Sequence, residues 1–174
     1  SYEEVKNSLT IPVVEVVQPG AVTVVRETRK KKVGVIGTPA TINSSVYERA
    51  IKKLDNSIEI ISKACPLFVP LVEEGWWEND IAFRVAEEYL CSMKKEGIDT
   101  LVMGCTHYPL LQKTISRVMG GEVKLVSSAL EAARAVKNVM REKGIERDEK
   151  LEPVYRYYTS DSIEKFKSLG SIIL

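Results

Sequence analysis

Histidine is nearly absent from this sequence: there is one, His107, in 174 residues. Cysteine is almost as scarce. Cys65, Cys91 and Cys105 form an odd, widely spaced set with no C-x-x-C pair. Such a set argues against a disulfide scaffold. With a single imidazole, a Cys/His zinc cage would need carboxylates to complete it, so no metal is expected. Neither G-x-G-x-x-G nor a G-K-S or G-K-T triplet occurs, which withholds support from a dinucleotide or a nucleoside triphosphate. The net charge is +1, leaving no global field to attract nucleic acid or an anionic membrane. No apolar run is long enough to span a bilayer. The opening SYEEVKNSLT lacks the apolar core of an export signal, so the cytoplasm is the expected compartment.

What is present is alternation. Hydrophobic residues make up 44% and charged residues 28%, as in an ordinary globular protein long enough for one sizeable domain or two small lobes. IPVVEVV (11–17) reads as a strand broken by Pro19 and Gly20, with a helix over 21–31. KVGVIGT (32–38) reads as a buried strand. SVYERAIKKL places Val46, Ala50, Ile51 and Leu54 on one helical face. SIEIISKA (57–64) is a third strand and FVPLVEEGWW (68–77) a loop. Asn79 or Asp80 then starts a helix with Ile81, Ala82, Val85, Ala86, Tyr89, Leu90 and Met93 in its apolar stripe, stopped by Gly97. DTLVMG (99–104) is a fourth strand, followed by a helix with Pro109 in its first turn. EVKLVS (122–127) is a fifth. Ser128 and Glu131 have the spacing of a capping box for the next helix. EPVYRYYT (152–159) reads as a sixth strand, and Asp161 or Ser162 caps a last helix. The basic run RKKK (29–32) reads as a solvated helix end. Strands alternating with helices predict an α/β fold with a parallel sheet covered on both faces. Ligands in such sheets bind beyond the carboxyl ends of the strands. Those ends carry Gly37-Thr38, Cys65-Pro66, Gly104-Cys105-Thr106-His107 and Ser127-Ser128.

MGCTHYPLL (103–111) is the stretch with most chemistry. Cys105 can be a small apolar filler at a strand end, or a reactive thiol. Three features favour reactivity: a preceding glycine, an i, i+2 spacing that points thiol and imidazole to one side of an extended segment, and a following helix N-terminus that favours thiolate. In GTPATINSSVY (37–47), the hydroxyls of Thr38, Thr41, Ser44 and Ser45 can bind a carboxylate at a strand-to-helix turn or simply cap the helix. Glu73 and Glu74 are either loop carboxylates or include one that orients His107. Cys65 and Cys91 read as structural, and Trp76 and Trp77 as packing residues.

GCTHYPLL resembles a signature of the glutamate racemases, within the aspartate/glutamate racemase superfamily. KVGVIGTPATINSSVY, ACPLFVPLVEEG and QPGA (18–21) resemble that family's other signatures, in the same order, and the likeness covers nearly the whole chain. It implies two pseudo-symmetric α/β lobes with parallel sheets, one complete and one partial here. Residues 1–20 would be a remnant of the first lobe, 21–126 the second lobe carrying Cys105, and 127–174 a segment returning to the first. The implied activity is cofactor-independent interconversion of L- and D-glutamate by two thiols, supplying D-glutamate for peptidoglycan. The implied partners are the two glutamate enantiomers, with a homodimer admitted. Cys105 resembles the thiol that is base toward L-glutamate, His107 its proton-managing neighbour, Glu73 the carboxylate behind His107, and Thr106, His107, Thr38 and Thr41 substrate contacts. The family's upstream ACNT-like motif, bearing the other cysteine, has no counterpart in these residues. The resemblance thus implies an N-terminally incomplete chain, inactive by itself. Ser127 stands where the family commonly has aspartate, and Glu15 where it has glycine. Alternatives are a racemase for aspartate or a related acid, a cysteine hydrolase, and a non-catalytic flavodoxin-like binding lobe.

Overall fold

The computed structural model describes residues 2–147, 152–160 and 162–173. Four strands, β1 (Lys32–Gly37), β2 (Glu59–Ala64), β3 (Thr100–Met103) and β4 (Lys124–Ser127), form one sheet in the order β2-β1-β3-β4. Every neighbouring pair is parallel. The two central strands are almost wholly buried, which is why they read as continuous apolar runs rather than alternating ones.

Helices cover both faces. On one, α2 (Val17–Glu27) and α4 (Val46–Leu54) bury Ala21, Val24, Tyr47 and Ile51 against Val33, Val35, Val102 and Val126, with α8 (Ser128–Glu142) lying along α2. On the other, α5 (Phe68–Glu73), α6 (Asp80–Lys95) and α7 (Gln112–Met119) pack Phe68, Leu90, Met93 and Ile115 against Ile36, Leu101 and Met103. Successive strand residues therefore feed opposite cores, as the two-residue period of a strand requires. Each fully buried Ile or Leu contributes roughly 1.5–3 kcal/mol of transfer free energy. The described residues also include the α-helices α1 (Tyr2–Ser8), the short α3 (Pro39–Asn43) and α9 (Ile163–Ile173).

Several expectations fail, two of them for one reason. Residues 11–16 form no strand, and Pro19 and Gly20 lie inside the first turn of α2. Residues 68–73 are helical rather than a loop, with Pro70 at the third position of α5. A first-turn N–H has no intrahelical acceptor, so proline is tolerated there and breaks nothing. The capping box fails as well. The cap of α8 is Ser127, whose side chain accepts from Leu130 N, while Glu131 instead accepts from Thr23 Oγ1 at 2.8 Å and pairs with Arg134. Residues 152–159 are irregular and exposed, not a sixth strand. Ser162 precedes α9 and its carbonyl accepts from Phe166 N at 3.1 Å, whereas Asp161 lies outside the described residues. Cys91 faces outward from α6. Among the described residues no helix is long and apolar enough to cross a membrane.

Candidate active site

Parallel pairing in register brings the carboxyl ends of β1 and β3 out side by side, with Ile36 opposite Met103. Gly104 then turns the chain. A Cβ there would stand 2.8 Å from the Tyr47 ring and 3.0 Å from the Ile36 carbonyl oxygen, so only glycine fits without displacement. The Gly104 N–H donates to that carbonyl at 2.8 Å.

Cys105, Thr106 and His107 follow in a turn, not in an extended segment. Tyr108 N donates to Cys105 O, Leu110 N donates to His107 O, and His107 itself has helical dihedrals. The turn leads into one stretch of 3₁₀ helix, Tyr108–Leu111, and then α7. Thiol and imidazole meet all the same, by a different geometry from the one that spacing suggested. Cys105 Sγ lies 3.9 Å from His107 Nδ1, a long sulfur contact, and Thr106 Oγ1 lies 3.4 Å from the same nitrogen. On the other side of the ring, Nε2 stands 3.8 Å from Glu73 Oε1. His107 is thus held between a thiol and a carboxylate. Either ring nitrogen can carry the proton.

Glu73 reaches the ring because α5 is a helix. Phe68 of α5 packs edge-on to Tyr108, ring centroids 5.2 Å apart, and Tyr108 OH donates to the Cys65 carbonyl at 2.8 Å. These contacts tie the end of β2, helix α5 and the His107 turn into one unit. Burial pushes the Tyr108 phenol far above its usual range, helped by Cys65, Cys105 and Tyr89 nearby, so it stays neutral. Burial likewise raises the Cys65 thiol to about 12, with Lys63 acting weakly the other way. Cys65 is an inert thiol packed in the core.

Thr38 and Thr41 emerge at the same sheet edge, after β1. Thr38 caps α3, accepting from Thr41 N at 3.3 Å, and the two hydroxyl oxygens are 3.1 Å apart. Thr41 is half-buried, with its hydroxyl beside that of Thr38. Glu74 is exposed at the C-terminal end of α5. Among the described residues no group of three or more His, Cys, Asp or Glu side chains is arranged to hold a metal ion.

Two residues behind the turn were not among the predicted site residues, although Ser128 stands at one of the strand ends marked in the sequence. Tyr47 OH donates to Ser128 Oγ at 2.7 Å, and Ser128 Oγ donates to the Met103 carbonyl at 3.2 Å. Burial raises the Tyr47 phenol, an effect its bond to Ser128 opposes and the nearby Glu15 and Cys105 reinforce. Tyr47 is one more apolar-face residue in a helical stripe, and Ser128 is disguised by the apparent capping box.

The family profile described as Asp/Glu/Hydantoin racemase matches residues 1–136. A glutamate racemase of Geobacter metallireducens is 45% identical over 174 residues, all of this chain and 64% of that protein. The crystal structure of glutamate racemase isoform RacE1 from Bacillus anthracis superposes with a TM-score of 0.91 at 37% identity, over 98% of this chain and 64% of that one. Glutamate racemase from Francisella tularensis, solved in complex with D-glutamate, gives 0.87 at 36% identity, over 98% and 63%. The chain therefore spans just under two thirds of the length of these relatives.

Proposed function

We propose, from the premise that this chain belongs to the Asp/Glu/Hydantoin racemase family, that the intact protein carrying it interconverts L- and D-glutamate without a cofactor. The observation that carries the reading is the Cys105–His107–Glu73 line at the carboxyl edge of a parallel sheet. The support for glutamate as substrate is the run of glutamate racemases among its relatives.

Racemisation needs a base on one face of Cα and an acid on the other. Cys105, as thiolate, takes the α-proton of L-glutamate. The electron pair of the broken C–H bond is left on Cα and delocalises into the adjacent carboxylate, giving a planar centre. A second thiol protonates the opposite face and becomes thiolate, and in the reverse direction Cys105 is the acid. Sulfur suits both roles because its protonation is readily set by its surroundings. His107 relays protons to and from Cys105, and Glu73 fixes the ring's orientation, as carboxylates do for catalytic imidazoles. Thr106, Thr38 and Thr41 supply hydroxyls for the substrate's carboxylates.

Neither Cys65, buried and inert, nor Cys91, exposed on α6, can face Cys105 across a substrate. The second thiol is assigned to sequence outside these 174 residues, in the first of two pseudo-symmetric lobes. Within the cell the protein would work in the cytoplasm and furnish D-glutamate for peptidoglycan.

Circular dichroism of L-glutamate solutions tests this. The intact protein abolishes the signal with time, and the 174-residue chain alone does not. Turnover by the isolated chain at the intact protein's rate would remove the two-lobe reading.

A further inference from the structure

We propose that Tyr47 and Ser128 are positioning residues for Cys105, acting through the Met103–Gly104 peptide. The proposal rests on the reading of Cys105 as an acid/base. That peptide unit is pinned at both ends. Its carbonyl accepts from Ser128 Oγ at 3.2 Å, and its N–H donates to Ile36 O at 2.8 Å. A peptide is planar, so two hydrogen bonds on opposite edges fix its tilt as well as its place. The Tyr47 ring closes the remaining side, against Gly104, where even a methyl group would collide at 2.8 Å.

Cys105 is the next residue, and only the soft torsions at Gly104 and its own separate its thiol from the pinned plane. The contact it makes with His107 is 3.9 Å long, so a displacement of a few tenths of an ångström decides whether it persists. Tyr47 and Ser128 are 4% and 6% exposed, which shields their bond from water and strengthens it. Their partners lie on separate elements: α4 supplies Tyr47, α8 supplies Ser128, and α2 presses Gly20 against both, its absent Cβ position being 3.3 Å from Ser128 Oγ. The helix layer on the far side of the sheet from α5 is thereby connected to the thiol. Ser127 is left to cap α8, and the neighbouring serine is free for this second task.

The test uses this chain with Cys91→Ser, so that Cys105 is the one accessible thiol, and reads two local signals. Alkylation of Cys105 by iodoacetamide is followed by mass spectrometry across pH. The ring protons of His107 are read by NMR, where a lone histidine gives an unmixed signal. Urea unfolding is measured on the same samples. Ser128→Ala should change the alkylation rate about threefold or more, displace its pH profile and move the His107 signal, in a sample that is folded at the urea concentration used. Tyr47→Phe, which keeps the ring against Gly104 and loses the hydroxyl alone, should give a smaller change in the same direction. It decides the matter if Ser128→Ala fails to fold. Parental rate, profile and ring signal in the folded variants would overturn the proposal. So would changes that merely track the unfolded fraction. Because neither readout is turnover, a negative result leaves the glutamate reading standing, and absence of racemisation by the intact parent tells against that reading alone.

Discussion

The carboxylate of Glu73 stands 3.8 Å from Nε2 of His107, on the edge of the ring opposite the one that meets Cys105. The two side chains are 35% and 39% exposed, so the pair has little value as a surface ion pair; on the proposed reading it orients the ring. Glu73→Gln keeps the shape and removes the charge. In the intact protein it should lower kcat about tenfold with little change in KM, below the roughly 10²–10⁴ that a positioned acid–base group contributes. His107→Asn should fall within that larger range. Steady-state kinetics on both variants checks the order, and an equal loss in the two would contradict a merely orienting role for Glu73.

Gly104→Ala places a methyl group against the Tyr47 ring and the Ile36 carbonyl oxygen. Backbone cannot swing aside as a side-chain tip can. The substitution should cost about 1–3 kcal/mol. Gly34→Ala meets the tips of Ile98, Leu101 and Met93 instead, which can repack, and should cost less. Urea midpoints of the two variants give the comparison, and a less stable Gly34→Ala would contradict the packing account.

Asp99 ties the turn before β1 to the start of β3. Its carboxylate accepts from the amides of Arg29 and Lys30, both at 2.6 Å, and from the hydroxyls of Thr28 and Thr100. Burial acts to raise its pKa, but the bonds from Lys30, Thr28, Arg29 and Thr100 outweigh it and hold the carboxyl below its ordinary value. A carboxyl lowered in the folded state adds stability above its unfolded pKa, near 3.9, and that stability is lost as pH falls through the folded value. Asp99→Asn should be about 1–3 kcal/mol less stable at pH 7. The gap should narrow as the pH falls below about 4. A constant gap from pH 7 to pH 3 in urea titrations would contradict the assignment.

The parts of the fold legible in the sequence are those fixed by periodicity. β1 and β3 are runs buried on both sides, and α6 shows an unbroken 3.6-residue stripe from Ala82 to Met93 beginning at its Asn79 cap. Proline was the misleading signal, since Pro19 and Pro70 both stand in first turns where they cost nothing. At the site, Cys105 and His107 were legible as neighbours, but their meeting depends on a turn that spacing alone did not distinguish from a strand. The contact with Glu73 was open in the sequence because it depends on α5 being helical and on Phe68 and Tyr108 locking that helix to the turn. The link from Tyr47 was illegible because its partner, Ser128 Oγ, lies 81 residues along the chain, and the role of Ser128, at a strand end the sequence did mark, was illegible because its own acceptor is a backbone carbonyl, which no residue type announces.

Proton exchange at Cα tests the central claim most directly. The intact protein carrying this chain, incubated with L-glutamate in D₂O, should yield D-glutamate bearing deuterium at Cα. Cys105→Ala should abolish both racemisation and deuterium uptake from L-glutamate. Retention of either at more than about one-hundredth of the parental rate, below the contribution expected of an essential proton-transfer group, would contradict Cys105 as the group that takes the α-proton.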